Sequence, residues 1–149
     1  MANNREALNN RLLALISSME QEGMVDHRLA EARDLKEIIS PFFFAELVPT
    51  FSSDAFSTLR ELTAALAKTD LDFHQLGELC IKIRGSTSCI GACRMADACV
   101  RLSQAIDARS KEECMSAFEI LKNEYLALYE KLDKIVELER MILSHETDD

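Results

Sequence analysis

Five cysteines, Cys80, Cys89, Cys93, Cys99 and Cys114, fall within one third of this 149-residue chain, where clustered thiols could bind metal or form disulfides. Their spacing favours neither. There is no CxxC pair, Cys89 and Cys93 stand four apart with Gly91 between them, and no nearby histidine completes a ligand set, so structural zinc is not expected. An odd number of cysteines, in a chain whose Met1 to Ala7 carries no apolar export segment, argues for reduced thiols, read here as small buried core residues. The serines and cysteines lack a persuasive histidine partner, no glycine-rich phosphate loop is present and no His/Glu pair has ligand spacing. Glu112, Glu113, Glu137 and Glu139 have the spacing of a solvated helix face. No catalytic residue, cofactor or metal is assigned from these groups.

The more informative chemistry lies on one helix. At ~100° per residue, Phe73, Leu76, Cys80, Ile83, Thr87 and Ile90 share a sector about 80° wide and should form a buried stripe. Ile81 falls about 130° from the centre of that stripe. Around it on the outer face come Gly77, Arg84 and Ser88, with His74, Gly85 and Glu78 at the periphery and Lys82 adjacent in sequence. Glycine inside a helix costs about 1 kcal/mol relative to alanine, so two on one outer face suggest that something approaches closely. Packing of a neighbouring helix would explain them as well as a partner would. Read functionally, the face is a docking patch with Ile81 as its apolar centre and Lys82 and Arg84 as cationic edges. Covering an isoleucine contributes about 1.5–3 kcal/mol, which matters at an interface without defining one.

The elements that position this face are helical. Leu8, Leu12, Leu13, Ile16 and Met19 make one apolar face from about residue 4 to 21, and Gly23 offers a stop. Asp26 can cap a short helix carrying Leu29, Ala32 and Leu35. Ser40 followed by Pro41 reads as an N-cap with proline at the first helical position, opening a segment from Phe42 through Phe56 and Leu59 to Leu66 that Pro49 should kink or interrupt. Asp70 or Asp72 starts the helix that carries Ile81, and after Gly91 another runs from Met95 to about Arg109. Ser110 and Glu113 have capping-box spacing, and a nearly heptad seam follows: Phe118, Leu121, Tyr125, Leu128, Leu132, Ile135, Leu138 and Ile142.

With 48% hydrophobic residues, 29% charged, four glycines and two prolines, the chain suits one all-α domain rather than a many-stranded sandwich or barrel. The expected layout is two N-terminal helices over about 4–38, a helical bundle over about 40–143 and a frayed acidic tail over 144–149, within a single domain spanning 1–149. Seventeen Lys and Arg against 26 Asp and Glu give a formal net charge of −9, a field that repels phosphate backbones and anionic membranes. Neither nucleic-acid binding nor membrane insertion is expected.

The run Ile81-Lys82-Ile83-Arg84-Gly85-Ser86-Thr87-Ser88-Cys89-Ile90-Gly91-Ala92 resembles the signature of plant histidine-containing phosphotransfer proteins, roughly His-Gln-Leu-Lys-Gly-Ser-Ser-Ser-Ser-Ile-Gly-Ala. The resemblance extends to Gln21-Glu22-Gly23-Met24-Val25-Asp26, to the Phe-rich segment from Phe42 to Leu62 and to Asn123-Glu124-Tyr125-Leu126, and so covers almost the whole chain. It implies six helices, the last four forming an antiparallel four-helix bundle. It also implies a histidine on that bundle that carries phosphoryl groups between the aspartates of receiver domains.

Where the family has that histidine, this chain has Ile81, whose side chain has no lone pair to attack an aspartyl phosphate. Lys82 replaces the usual glutamine, and Arg84 keeps a positive charge in place of lysine. His74-Gln75-Leu76 repeats the start of the signature seven residues too early, which puts His74 about 10.5 Å up the helix axis, while phosphoryl transfer needs reacting atoms about 3–3.5 Å apart. His27 and His145 fall on the short helix and the tail. The resemblance thus implies a pseudo-phosphotransfer protein that docks through Gly77, Glu78, Ile81, Lys82, Arg84, Gly85 and Ser88. Its expected partners are receiver domains of hybrid histidine kinases and response regulators, its expected process cytokinin signalling, and its expected state a monomer in cytoplasm and nucleus. Two alternatives stay open: phosphotransfer through His74, and a helical scaffold with an unrelated partner.

Overall fold

Helical periodicity carries through almost the whole chain. A computed structural model describes residues 2–147, with side chains described over 4–145. Its helices are α1 (Ala2–Gln21), α2 (Arg28–Asp34), α3 (Phe43–Leu66), α4 (Phe73–Thr87), α5 (Cys93–Asp107) and α6 (Lys111–Thr147), with a 3-10 turn at Leu35–Glu37 after α2. The all-α expectation of six helices is met. Helix α3 packs on α4, α4 on α5, α5 on α6 and α6 on α3, which closes an antiparallel four-helix ring. At 37 residues α6 is about 55 Å long, so it outlasts the bundle and also carries α1 along its side. It runs through Thr147, where a tail from 144 was expected; Met1, Asp148 and Asp149 lie outside the described residues.

The predicted seam of α6 from Phe118 to Ile142 is buried at every position. Tyr125 crosses it with its hydroxyl donating to the Ser52 carbonyl at 2.9 Å, and burial pushes that hydroxyl up to about 12. Two predicted caps form. The Asp72 carboxylate accepts from the Gln75 backbone N–H at 3.1 Å, and Ser110 Oγ from that of Glu113 at 3.2 Å. The second half of the Ser110 box is absent, because the Ser110 N–H donates to the Ala105 carbonyl at 3.3 Å as α5 ends early and Arg109 turns left-handed at φ +52°.

The N-terminal hairpin is tied down at two points. Gly23, at φ +75°, ends α1 as expected, and the Asp26 N–H then donates to the Gly91 carbonyl at 2.9 Å. Gly91, at φ +68°, admits no side chain there, since a Cβ would collide with the Asp26 carboxylate and the Arg28 side chain. Asp26 does serve the start of α2, accepting the Arg28 N–H at 2.9 Å as well as the Arg28 guanidinium. That guanidinium holds the carboxyl below its ordinary range, against the partial burial that opposes it.

The second tie corrects the sequence reading of Glu139. It is 0% exposed, with Oε1 3.1 Å from Arg33 Nη2 and Oε2 2.7 Å from Lys36 Nζ, and Arg33 also reaches Asn9 Oδ1 at 2.8 Å. One carboxylate on α6 thus anchors α1, α2 and the 3-10 turn. Leu13, Leu35 and Phe56 are exposed rather than core. Helix α3 starts at Phe43, after a turn in which Ser40 Oγ accepts the Phe42 N–H, and it is unbroken across Pro49. Proline near the start of a long helix removes one backbone bond, and the packed faces on either side keep the helix continuous.

Candidate functional site

Helix α4 lies in the ring between α3 and α5, so its register decides which side chains leave the protein. Leu76, Cys80, Ile83, Thr87 and, just beyond the helix, Ile90 are buried as the stripe predicted, while Phe73 is half-buried. Ile81 is therefore turned outward and is 74% exposed. Glu78, Lys82, Arg84, Gly85 and Ser88 are exposed with it, and Gly77 is half-buried. A Cβ built on Gly77 or Gly85 would meet nothing within 4 Å, which removes packing by a neighbouring helix as the reason for these glycines. Within the described residues, the open space above them is solvent.

The polar groups near Ile81 are mostly occupied. Ser86 Oγ donates to the Ile83 carbonyl at 2.7 Å, Thr87 Oγ1 to Arg84 at 2.6 Å and Ser88 Oγ to Gly85 at 2.7 Å, so each hydroxyl folds back on its own helix. Cys80 Sγ donates to the Cys99 carbonyl at 3.3 Å, and burial pushes its thiol up to about 11 and that of Cys99 to about 12, leaving both neutral and inert. His74 Nε2 lies 2.9 Å from Glu78 Oε1, an i,i+4 contact that holds the imidazole two turns from Ile81 and the carboxylate within one. Lys82 Nζ is 3.8 Å from Glu61 Oε2 across the α3–α4 seam. Among the described residues the Arg84 guanidinium has no ion-pair partner. An apolar centre flanked by an uncommitted guanidinium and open glycines can bind an apolar surface with acidic neighbours; Ile81 itself offers no nucleophile, and the imidazole and carboxylate on this face, His74 and Glu78, contact each other.

The structure adds residues that the sequence did not suggest. Beside Ile81 a shallow groove between the start of α4 and the end of α5 is floored by Phe73, Gly77 and Ile106 and rimmed by Asp107 and Arg109, whose guanidinium lies 5.5 Å from the Phe73 ring centroid. Only the pairing of α4 with α5 brings these together, so no local pattern signals them. Glu61 likewise enters through the fold. A second apolar groove, between α3 and α6, exposes Phe56, Leu126 and Tyr129. The cysteines split: Cys80, Cys99 and Cys114 are buried as expected, whereas Cys89 is exposed and Cys93 half-buried at the turn into α5. No cluster of three or more potential metal ligands occurs among the described residues, and no helix there is long and apolar enough to cross a membrane.

Comparison with known proteins agrees with this architecture. A family model described as Hpt domain matches residues 46–134, more than half of the chain. Histidine-containing phosphotransfer protein 5 of Arabidopsis thaliana is 30% identical over 129 residues, covering 86% of this chain and 82% of that protein. Pseudo histidine-containing phosphotransfer protein 1 of Oryza sativa subsp. japonica is 30% identical over 119 residues, covering 80% and 64%. The crystal structure of a histidine-containing phosphotransfer protein from maize superposes with a TM-score of 0.86 at 30% identity, over 91% of this chain and 99% of that one. With its four-helix ring, its two N-terminal helices and these matches, the chain belongs to the Hpt domain family, alongside the plant histidine-containing phosphotransfer proteins.

Proposed function

We propose that this chain is a pseudo-phosphotransfer protein: it docks on receiver domains of hybrid histidine kinases and response regulators through the outer face of α4 and carries no phosphoryl group. The observation that carries this reading is Ile81, 74% exposed at the centre of that face, where the family signature has its histidine. A phosphocarrier needs a nitrogen lone pair at that point; the hydroxyls of Ser86, Thr87 and Ser88 bond back to their own helix, and the Cys80 thiol is buried. The rest of the face retains what docking requires, namely apolar area, cationic edges from Lys82 and Arg84, and two glycines that keep its surface open. Relatives named as pseudo histidine-containing phosphotransfer proteins support the reading.

Occupying receivers without accepting phosphate lowers the flux through active carriers, so the chain acts as a negative modulator of a two-component phosphorelay, in plants that of cytokinin signalling. A competition assay tests this. With a phosphorylated kinase receiver and an active carrier in solution, added chain should slow label transfer in proportion to the receiver it occupies, and Arg84→Glu should weaken that inhibition, with a larger effect at low salt. Unchanged transfer at saturating chain would overturn the proposal and leave a scaffold with an unrelated partner.

A further inference from the structure

We propose that the chain does more than block its receiver: with Ile81 seated over the aspartyl phosphate, it protects that phosphate from water and prolongs the phosphorylated state. The inference rests on receiver docking through α4 and goes beyond it. Hydrolysis requires a water oxygen to bond to phosphorus as the bond from phosphorus to the aspartyl carboxylate oxygen breaks. The carboxylate leaves with the electron pair, the water gives up its proton to solvent, and inorganic phosphate is released. Transfer to an imidazole uses the same in-line approach with nitrogen in place of water. A side chain standing where that nitrogen would be therefore occupies the line along which water must arrive.

Ile81 fills that position with four carbons and no lone pair. The one carboxylate within a turn of it on this helix, Glu78, is engaged by His74 at 2.9 Å. The hydroxyls of Ser86, Thr87 and Ser88 donate to their own helix, and His74 lies two turns away against Glu78. Gly77 and Gly85, one turn to either side, have open space above them, so a partner's backbone can close around Ile81 and complete the seal. Arg84, three residues on and about 5–6 Å away between Cβ atoms, has no ion-pair partner among the described residues, so its guanidinium can hold the phosphoryl oxygens. This combination of apolar plug and unpaired cation would retain the phosphate while excluding its nucleophile.

The test uses a response-regulator receiver labelled with radioactive acetyl phosphate, whose loss of label is followed with and without the full chain. Binding is measured in parallel, and each variant is added at about ten times its own Kd, which leaves roughly 9% of the receiver free. The intact chain should then slow loss of label about tenfold. Ile81→Ser, which admits and hydrogen-bonds a water at the same occupancy, should return the decay close to the free rate. Ile81 is exposed, so its replacement leaves the core intact, as a thermal melt will verify. A receiver that is bound yet decays at its free rate, or equal protection by Ile81→Ser, overturns the inference while sparing the docking proposal; absence of binding overturns both.

Discussion

Replacing Gly77 and Gly85 by alanine should move stability and binding in opposite directions. Glycine in a helix interior costs about 1 kcal/mol relative to alanine, and the added Cβ at either position meets no atom within 4 Å. The double variant should thus gain up to about 2 kcal/mol, which for a chain of this size raises the melting temperature by about 4–8 °C. On the docking face the same methyl groups stand where a receiver must come close, and overpacking of that kind costs about 1–3 kcal/mol, or roughly 5- to 150-fold in Kd. Circular dichroism melts measure the first quantity and isothermal titration with a receiver domain the second. A higher melting temperature with unaltered receiver affinity would refute the argument that a partner requires these glycines. A lower melting temperature would refute the geometry of α4 itself.

Other perturbations test the remaining physical claims. Glu139→Gln leaves Arg33 and Lys36, at 11% and 8% side-chain exposure, without their carboxylate, and should cost about 3–5 kcal/mol in urea unfolding; a loss below about 1 kcal/mol would mean the buried cluster anchors nothing. Gly91→Ala should release the N-terminal hairpin, read as faster amide exchange at Met24–Arg28, because its Cβ collides with Asp26 in a backbone conformation that already disfavours side chains. A thiol reagent on the native protein should modify Cys89 and Cys93 while Cys80, Cys99 and Cys114 react only on unfolding. Burial raises the Cys80 and Cys99 thiols above the ordinary 9.0, so their contribution to stability is complete below pH 9 and is lost as pH rises toward about 11 and 12. Serine at both positions should flatten that alkaline limb, and an unchanged limb would contradict the assignment.

Most of the fold was legible because its signals are local. The α6 seam, the caps at Asp72 and Ser110, and the stop at Gly23 depend on spacing within a turn or two, and spacing survives in the sequence. The outward aim of Ile81 was legible for the same reason, since the buried stripe of α4 fixes the opposite face. What escaped was set by pairings between distant helices. Glu139 looks like any charged residue on a solvated face until α1 and α2 fold over it and bring two cations, 106 and 103 residues away in sequence. The groove beside Ile81 needs Ile106 from α5 and Arg109 from the turn after it, and the Lys82 contact needs Glu61 from α3. Pro49 stays inside an unbroken α3 because the packing of the helix on either side outweighs the one backbone bond it removes, a balance that local spacing does not carry.

Where label goes when a phosphorylated receiver meets this chain decides whether Ile81 ends phosphotransfer. Incubated with a radiolabelled receiver that it binds, the native protein should remain unlabelled, while Ile81→His, with an imidazole at the exposed centre of α4, should take up acid-labile, alkali-resistant phosphate. Such label on the native chain, at His74 or elsewhere, would contradict that role of Ile81.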